Sequence, residues 1–200
     1  MQKVEFWLDT LCPWAWMTSR WLTEVEKVRD VDITWNVMSL YYLNLGRDWI
    51  TDEYLENAHK ALGPLRVMVA AQKSMGPSVV GDLYTAYGNH IHLQKEDFSR
   101  ELSERVISEL GLPASLAESA EDESLDSDII EIHTRGLSLV GEDVGTPIIA
   151  VDSTAFFGPV LSPAPQGERA GVLFDAVVTA AQFPEFFELK RTRTVGPIFD

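Results

Sequence analysis

The chain has 200 residues, 46% of them hydrophobic and 10% aromatic, which is enough apolar mass for one packed core and too much for a disordered chain. Sixteen Lys and Arg face thirty-one Asp and Glu, and the resulting formal charge of -15 argues against nucleic-acid and membrane-surface partners. The single Cys excludes an internal disulfide framework and any zinc site built from cysteines.

In chain order, Val4, Phe6 and Leu8 alternate with Glu5, Trp7 and Asp9, the period of a strand. This alternation begins at once, without a leader pattern or an apolar run of membrane-spanning length, so a cytoplasmic protein is expected. After a turn at Thr10-Leu11 come Cys12-Pro13, then Trp14, Met17, Trp21, Val25 and Val28 at spacings of three and four. That spacing predicts an amphipathic helix starting near Pro13, where a missing N–H costs nothing, and ending at Arg29-Asp30. Val31, Ile33, Trp35 and Val37 give a second strand, and the helical crossover makes the two strands parallel neighbours.

From Thr51 to Gly141 helix formers dominate, punctuated by glycine and proline, which predicts five or six helices and no strand. The acidic run from Glu118 to Asp128 reads as a solvated helix face. Ile148 to Val151, a turn at Asp152-Ser153-Thr154, and Ala155 to Phe157 predict a β-hairpin. A last helix follows over about Gly167 to Gln182, and then a basic tail with Lys190, Arg191 and Arg193. The order is β-α-β, a helical block, then β-β-α. An α/β fold of the thioredoxin type with an inserted all-helical domain satisfies it, divided as 1–45 plus 141–200 and 46–140.

Cys12 falls at the end of a strand and directly before a helix. A thiol there meets unpaired backbone N–H groups and the positive end of the helix dipole, which can bring a Cys from about 8.5 into the range of roughly 3.5–7.5. An isolated Cys is more often a small buried hydrophobe. The strand–Cys–Pro–helix setting reverses that preference. Thr146-Pro147 before a strand is weak alone, since only about 5–6% of X–Pro bonds are cis. Beside Cys12 on a β-α-β unit it matches the loop where thioredoxin-type folds present backbone to an extended thiol substrate. The Cys-x-x-Cys pattern of such oxidoreductases reads Cys12-Pro13-Trp14-Ala15 here, so a mixed disulfide on Cys12 has no internal thiol to resolve it. Ala15 is either native, giving a monothiol enzyme, or a Cys→Ala change that traps an intermediate; the dithiol-like surroundings point to the second.

The chain resembles the DsbA-like branch of the thioredoxin superfamily, and more closely the mycothiol-dependent nitroreductases of actinobacteria. The resemblance rests on Asp9 to Trp14, Thr18 to Trp21, Val37 to Leu40, Gly141 to Pro147, Phe156 to Ser162 and Phe186 to Thr194. It implies a thiol–disulfide oxidoreductase with a CPWC-type redox centre, Cys12 as nucleophile, Ala15 at the resolving position and Pro147 as the cis proline. It also implies mycothiol as reducing co-substrate, without flavin or metal, and Pro13, Trp14, Asn44, Tyr54, His92 and Thr146 as its contacts. The expected partners are a low-molecular-weight thiol, disulfide or electrophilic substrates and a mycoredoxin-type reductase system.

Plainer readings stand beside these. Asn44 suits a turn with left-handed backbone, and Tyr54 a helix core. His90 and His92 are two apart, about 200° around a helix, which disfavours a metal pair and favours a hydrogen-bonded state for each. Trp7, Trp16, Trp35 and Trp49 read as packing, and the basic tail as the complement of a helix dipole, with anion binding less favoured. Two rivals remain: a thiol transferase or isomerase of the kappa glutathione-transferase type, and a redox-inert binding module.

Overall fold

The computed structural model describes residues 1–199. Strand β1 (Gln2–Leu8) leads through the Cys12 turn into α1 (Pro13–Val25) and back along β2 (Val31–Val37). Helix α1 begins where the sequence directs it. Cys12 has the extended backbone of an N-cap, Pro13 takes the first turn, and Trp16 N–H reaches Cys12 O at 3.1 Å. The helix stops at Val25 rather than at Arg29-Asp30; Arg29 turns instead to the carboxylates of Glu168 and Asp175.

Between β2 and the closing hairpin the chain is helical: α2 (Leu40–Asn44), α3 (Asp52–Lys60), α4 (Leu62–Met75), α5 (Val79–Gly88), α6 (Arg100–Glu109) and α7 (Asp126–Val140). A single π-helical turn, Asn89–Leu93, extends α5. The short helix α2 lies before the block that composition predicts, and it makes Asn44 helical rather than left-handed; the positive φ of +79° falls on Gly46. The hairpin β3 (Ile148–Val151) and β4 (Thr154–Phe157) precedes α8 (Glu168–Ala181). No helix among the described residues is long and apolar enough to cross a membrane.

The sheet order is β2-β1-β3-β4, with β1 parallel to β2 and antiparallel to β3. Alternation in β1 separates two covered faces. Val4, Phe6 and Leu8 enter the main core with residues of α1, α4 and α5. Trp7 turns the other way, joins Met38, Ile148 and Ala150, and donates its indole N–H to Ile132 O of α7 at 3.1 Å. Two glycines let helices close onto these rings. A Cβ at Gly136 would lie 2.7 Å from Trp7, and one at Gly88 only 2.0 Å from Trp16. Trp7, Trp16 and Trp35 pack as expected, whereas Trp49 is 75% exposed.

The acidic run is neither one helix nor wholly solvated. It spans two 3-10 turns, Ala114–Glu121 and Glu123–Leu125, and the start of α7. Asp126 takes two hydrogen bonds from the buried Arg66 at 2.6 and 2.8 Å and one from Tyr42 at 2.9 Å. Burial works to raise its pKa, but those hydrogen bonds hold it below the usual carboxylate value. The basic tail is likewise no helix cap, because α8 ends at Ala181 and Lys190 to Arg193 lie on irregular chain.

Candidate active site

Cys12 stands where the carboxyl end of β1 meets α1. Its Sγ accepts from Ala15 N–H at 3.4 Å and donates to Thr146 O at 3.4 Å, so the thiol is clasped between the first turn of α1 and the loop before β3. The Thr146–Pro147 peptide is cis. Thr146 Oγ1 donates to Trp7 O at 2.7 Å, and Pro147 O accepts from Gly158 N–H at 2.8 Å, which fixes that loop to β1 and to the end of the hairpin. Pro13 and Trp14 flank the thiol, half-buried, while Ala15 is fully buried in the helix wall.

One expectation fails in this closed arrangement. Cys12 is only 6% exposed, and that burial pushes its thiol up to about 12. The Ala15 and Trp14 N–H groups pull it down and the Asp9 charge pushes it up, so desolvation outweighs the helix terminus. The helix start that sequence identifies is present. What sequence omits is the cover.

Asp9 is a site residue that the sequence reading passed over. Buried at the end of β1, it accepts from Leu11 N–H at 2.8 Å and from Leu40 N–H at 2.6 Å. One carboxylate thus ties the Cys12 turn to α2. With two amide donors and no cationic partner it is raised by burial to about 6. The signal for it was an acid at the end of an otherwise apolar strand, three residues before the Cys. On the α2 side, Asn44 donates to Leu40 O at 2.8 Å and to Tyr54 Oη at 3.3 Å. Tyr54 is raised by burial, then by the charges of Asp9 and Cys12, which sets it in the field of the thiol.

His92 lies on the other side. Its ring stacks on Trp16 at 5.5 Å and under Phe199 at 5.6 Å, and Nε2 is buried without a hydrogen-bond partner. Burial pushes it down to about 4, helped by Lys95 and Arg20 and opposed by a backbone hydrogen bond at Thr10. The expected hydrogen bonds are present at His90, between Glu96 and Glu109; at His92, Nε2 is left without a partner. The C-terminal segment completes the wall: Arg193 lies 4.8 Å over the Trp14 ring, and Ser162 Oγ holds Gly196 O and Ile198 N–H at 2.9 Å each. Among the described residues no group of three His, Cys, Asp or Glu could hold a metal ion.

A family model described as mycothiol-dependent nitroreductase Rv2466c matches residues 11–191. The uncharacterized protein Rv2286c of Mycobacterium tuberculosis is 28% identical over 208 residues, spanning 99% of this chain and 85% of that protein. The cytosolic disulfide reductase DsbM from Pseudomonas aeruginosa, solved with GSH, matches with a TM-score of 0.62 at 14% identity, over 88% of this chain and 99% of that one. The probable DsbA oxidoreductase SCO1869 from Streptomyces coelicolor matches with a TM-score of 0.61 at 14% identity, over 97% and 95%. At such identities the solved structures speak for the fold alone, a DsbA-like thioredoxin fold, in agreement with the sheet order and the helices between β2 and β3. With most of its length matched by the family model, the chain belongs to the Rv2466c-like family of mycothiol-dependent nitroreductases.

Proposed function

We propose that the chain is a mycothiol-dependent thiol–disulfide reductase of the cytoplasm, with Cys12 as its nucleophile. The observation that carries this reading is the position of one Cys as the N-cap of α1, its Sγ held between Ala15 N–H and the Thr146 carbonyl. A thiolate there keeps the two amide donors of the helix start, and the Thr146 carbonyl, no longer held by the S–H, can accept from an extended thiol ligand. In the closed arrangement Cys12 is a thiol. Opening the wall to solvent returns it toward its ordinary range, and the Ala15 and Trp14 amides then favour the anion.

The thiolate attacks one sulfur of a disulfide. A Cys12 mixed disulfide forms, the S–S bond breaks, and the second sulfur leaves with the electron pair as a thiolate. Ala15 offers no resolving thiol, so Cys12 is freed only by an external one. Mycothiol supplies that second thiol, and the departing pair is one reduced thiol and one mixed disulfide. Two groups near the site fit such a ligand: buried Asn44 at the end of the Asp9-tethered α2 with the half-buried Tyr54 it bonds, and the unpartnered Nε2 of His92.

Restoring a resolving thiol tests the scheme. With Ala15→Cys, turnover of a small disulfide in the presence of mycothiol rises by about tenfold or more, because resolution becomes intramolecular. Equal turnover in the two proteins overturns the resolving role of position 15. Activity that survives Cys12→Ser overturns the nucleophile.

A further inference from the structure

Three cations lie over the aromatic rings around the site. Arg193 lies 4.8 Å over Trp14, Arg20 lies 4.1 Å over Trp16, and Lys95 lies 4.5 Å over Phe199, which itself stacks on His92. Together they run along one aromatic column, Arg20–Trp16–His92–Phe199–Lys95, with Arg193 on the Trp14 side of the Cys12 turn. Elsewhere Arg29, Arg66, Lys73, Arg100, Arg105 and Arg135 are all ion-paired. Among the described residues none of Arg20, Lys95 and Arg193 has a carboxylate within salt-bridge distance. In a chain with thirty-one acids and a charge of -15, Lys95 and Arg193 are among the exposed cations without such a partner, and these two lie over rings beside the Cys12 turn.

We propose that Lys95 and Arg193 form a cationic mouth to the Cys12 site that selects disulfide or electrophilic substrates bearing an anionic group, most simply a carboxylate. The inference rests on the thiol–disulfide reading above. Two observations support it independently of charge counting. Lys95 and Arg193 are both exposed, whereas Arg20 is spent on Ser19 and Thr85 hydroxyls deeper in the column. His92 Nε2, in a side chain 5% exposed, is an unpartnered polar atom in the same column. A flat anionic substrate could lay its apolar part against Trp14 and Phe199, its charge on the two cations, and its reactive sulfur toward Cys12.

Because the chain has one Cys, the test is direct. The full-length protein is mixed with a dianionic disulfide, 5,5′-dithiobis(2-nitrobenzoate), and with a neutral one, 2,2′-dithiodipyridine. Each step is one exchange: the Cys12 sulfur bonds to a probe sulfur, the S–S bond breaks, and one aromatic thiolate leaves while the Cys12 proton goes to solvent. Rates are divided by those of N-acetylcysteine amide. The proposal expects the anionic-to-neutral ratio to exceed that of the small thiol by about tenfold at low salt, against the net charge of the protein, and to fall as salt rises. Lys95→Gln with Arg193→Gln brings the ratio down about tenfold and leaves the neutral rate within about twofold; Arg193→Gln alone gives an intermediate value. Reaction with both probes at the small-thiol ratio, or a ratio that the variants do not change, overturns the proposal and leaves the thiol reading standing. Reaction with neither probe removes the thiol reading and the proposal with it.

Discussion

His90 and His92 stand two residues apart on one π-helical turn and meet opposite surroundings. His90 is buried against α6 and the loop before it, with Nδ1 2.7 Å from Glu96 and Nε2 3.1 Å from Glu109. Burial lowers its pKa, but the two carboxylates outweigh that and hold the imidazolium above its ordinary value. His92 faces the Cys12 side between two aromatic rings, with cations rather than carboxylates near it, and is pushed down to about 4. One side of the turn satisfies every polar atom and latches α5 to α6. The other side leaves an imidazole nitrogen unpaired, a state that costs stability unless a ligand uses it. The pair teaches that burial alone does not mark function. The two differ in whether the buried polar atoms are met.

The largest disruption reaches both sides at once. Gly88 immediately precedes the turn, and Gly88→Ala drives a Cβ to within 2.0 Å of the Trp16 ring beneath His92. Trp16 must move, so we expect a loss of about 3 kcal/mol and a fall in Tm of roughly 6–12 °C in thermal unfolding. A fall under about 2 °C with activity intact contradicts the close packing described. Next in size, His92→Phe keeps the stack on Trp16 and removes Nε2. Reduction of a disulfide by mycothiol then drops roughly 10–100-fold while Tm stays level or rises, since a buried unpaired polar group is gone. An unchanged rate makes His92 a packing residue. His90→Phe does the reverse: activity stays within about twofold, and Tm falls by the equivalent of about 1–2 kcal/mol.

The smallest effect, and the sharpest in sign, is on pH. His92 has a folded pKa near 4 against an ordinary 6.5, so its stabilising contribution is complete above 6.5 and fades as pH falls toward 4. The Tm advantage of His92→Phe over the parent therefore grows on acidification. For His90 the folded value is raised, so its contribution is complete below 6.5 and fades as pH rises through that folded value. The deficit of His90→Phe accordingly narrows at alkaline pH. Parallel Tm profiles for the two variants would erase the contrast.

Much of this architecture was legible because local chemistry specifies it. Cys12-Pro13 marks a helix start, the Asp152 turn between two apolar runs marks a hairpin, and the Gly-Thr-Pro before β3 marks the loop facing the thiol. What escaped was nonlocal. Asn44 looks like a turn residue until Leu40 N–H finds Asp9 and builds α2. Asp126 looks solvated until Arg66, sixty residues earlier, closes on it. Arg193 looks like a helix cap until the tail carries it onto Trp14, 179 residues away in sequence, by a path that no periodicity records. The Cys12 thiol follows the same pattern: its amide donors follow from sequence, whereas its cover is a matter of packing.

The central claim is that Cys12 exchanges disulfides in the folded protein. The direct measurement is the intact mass after incubation with mycothiol disulfide, with and without subsequent dithiothreitol. The account predicts one mycothiol adduct per chain, on Cys12, that persists for want of a thiol at position 15 and is removed by the reductant. An adduct that forms only after the protein is unfolded would identify Cys12 as a buried structural residue and contradict the account.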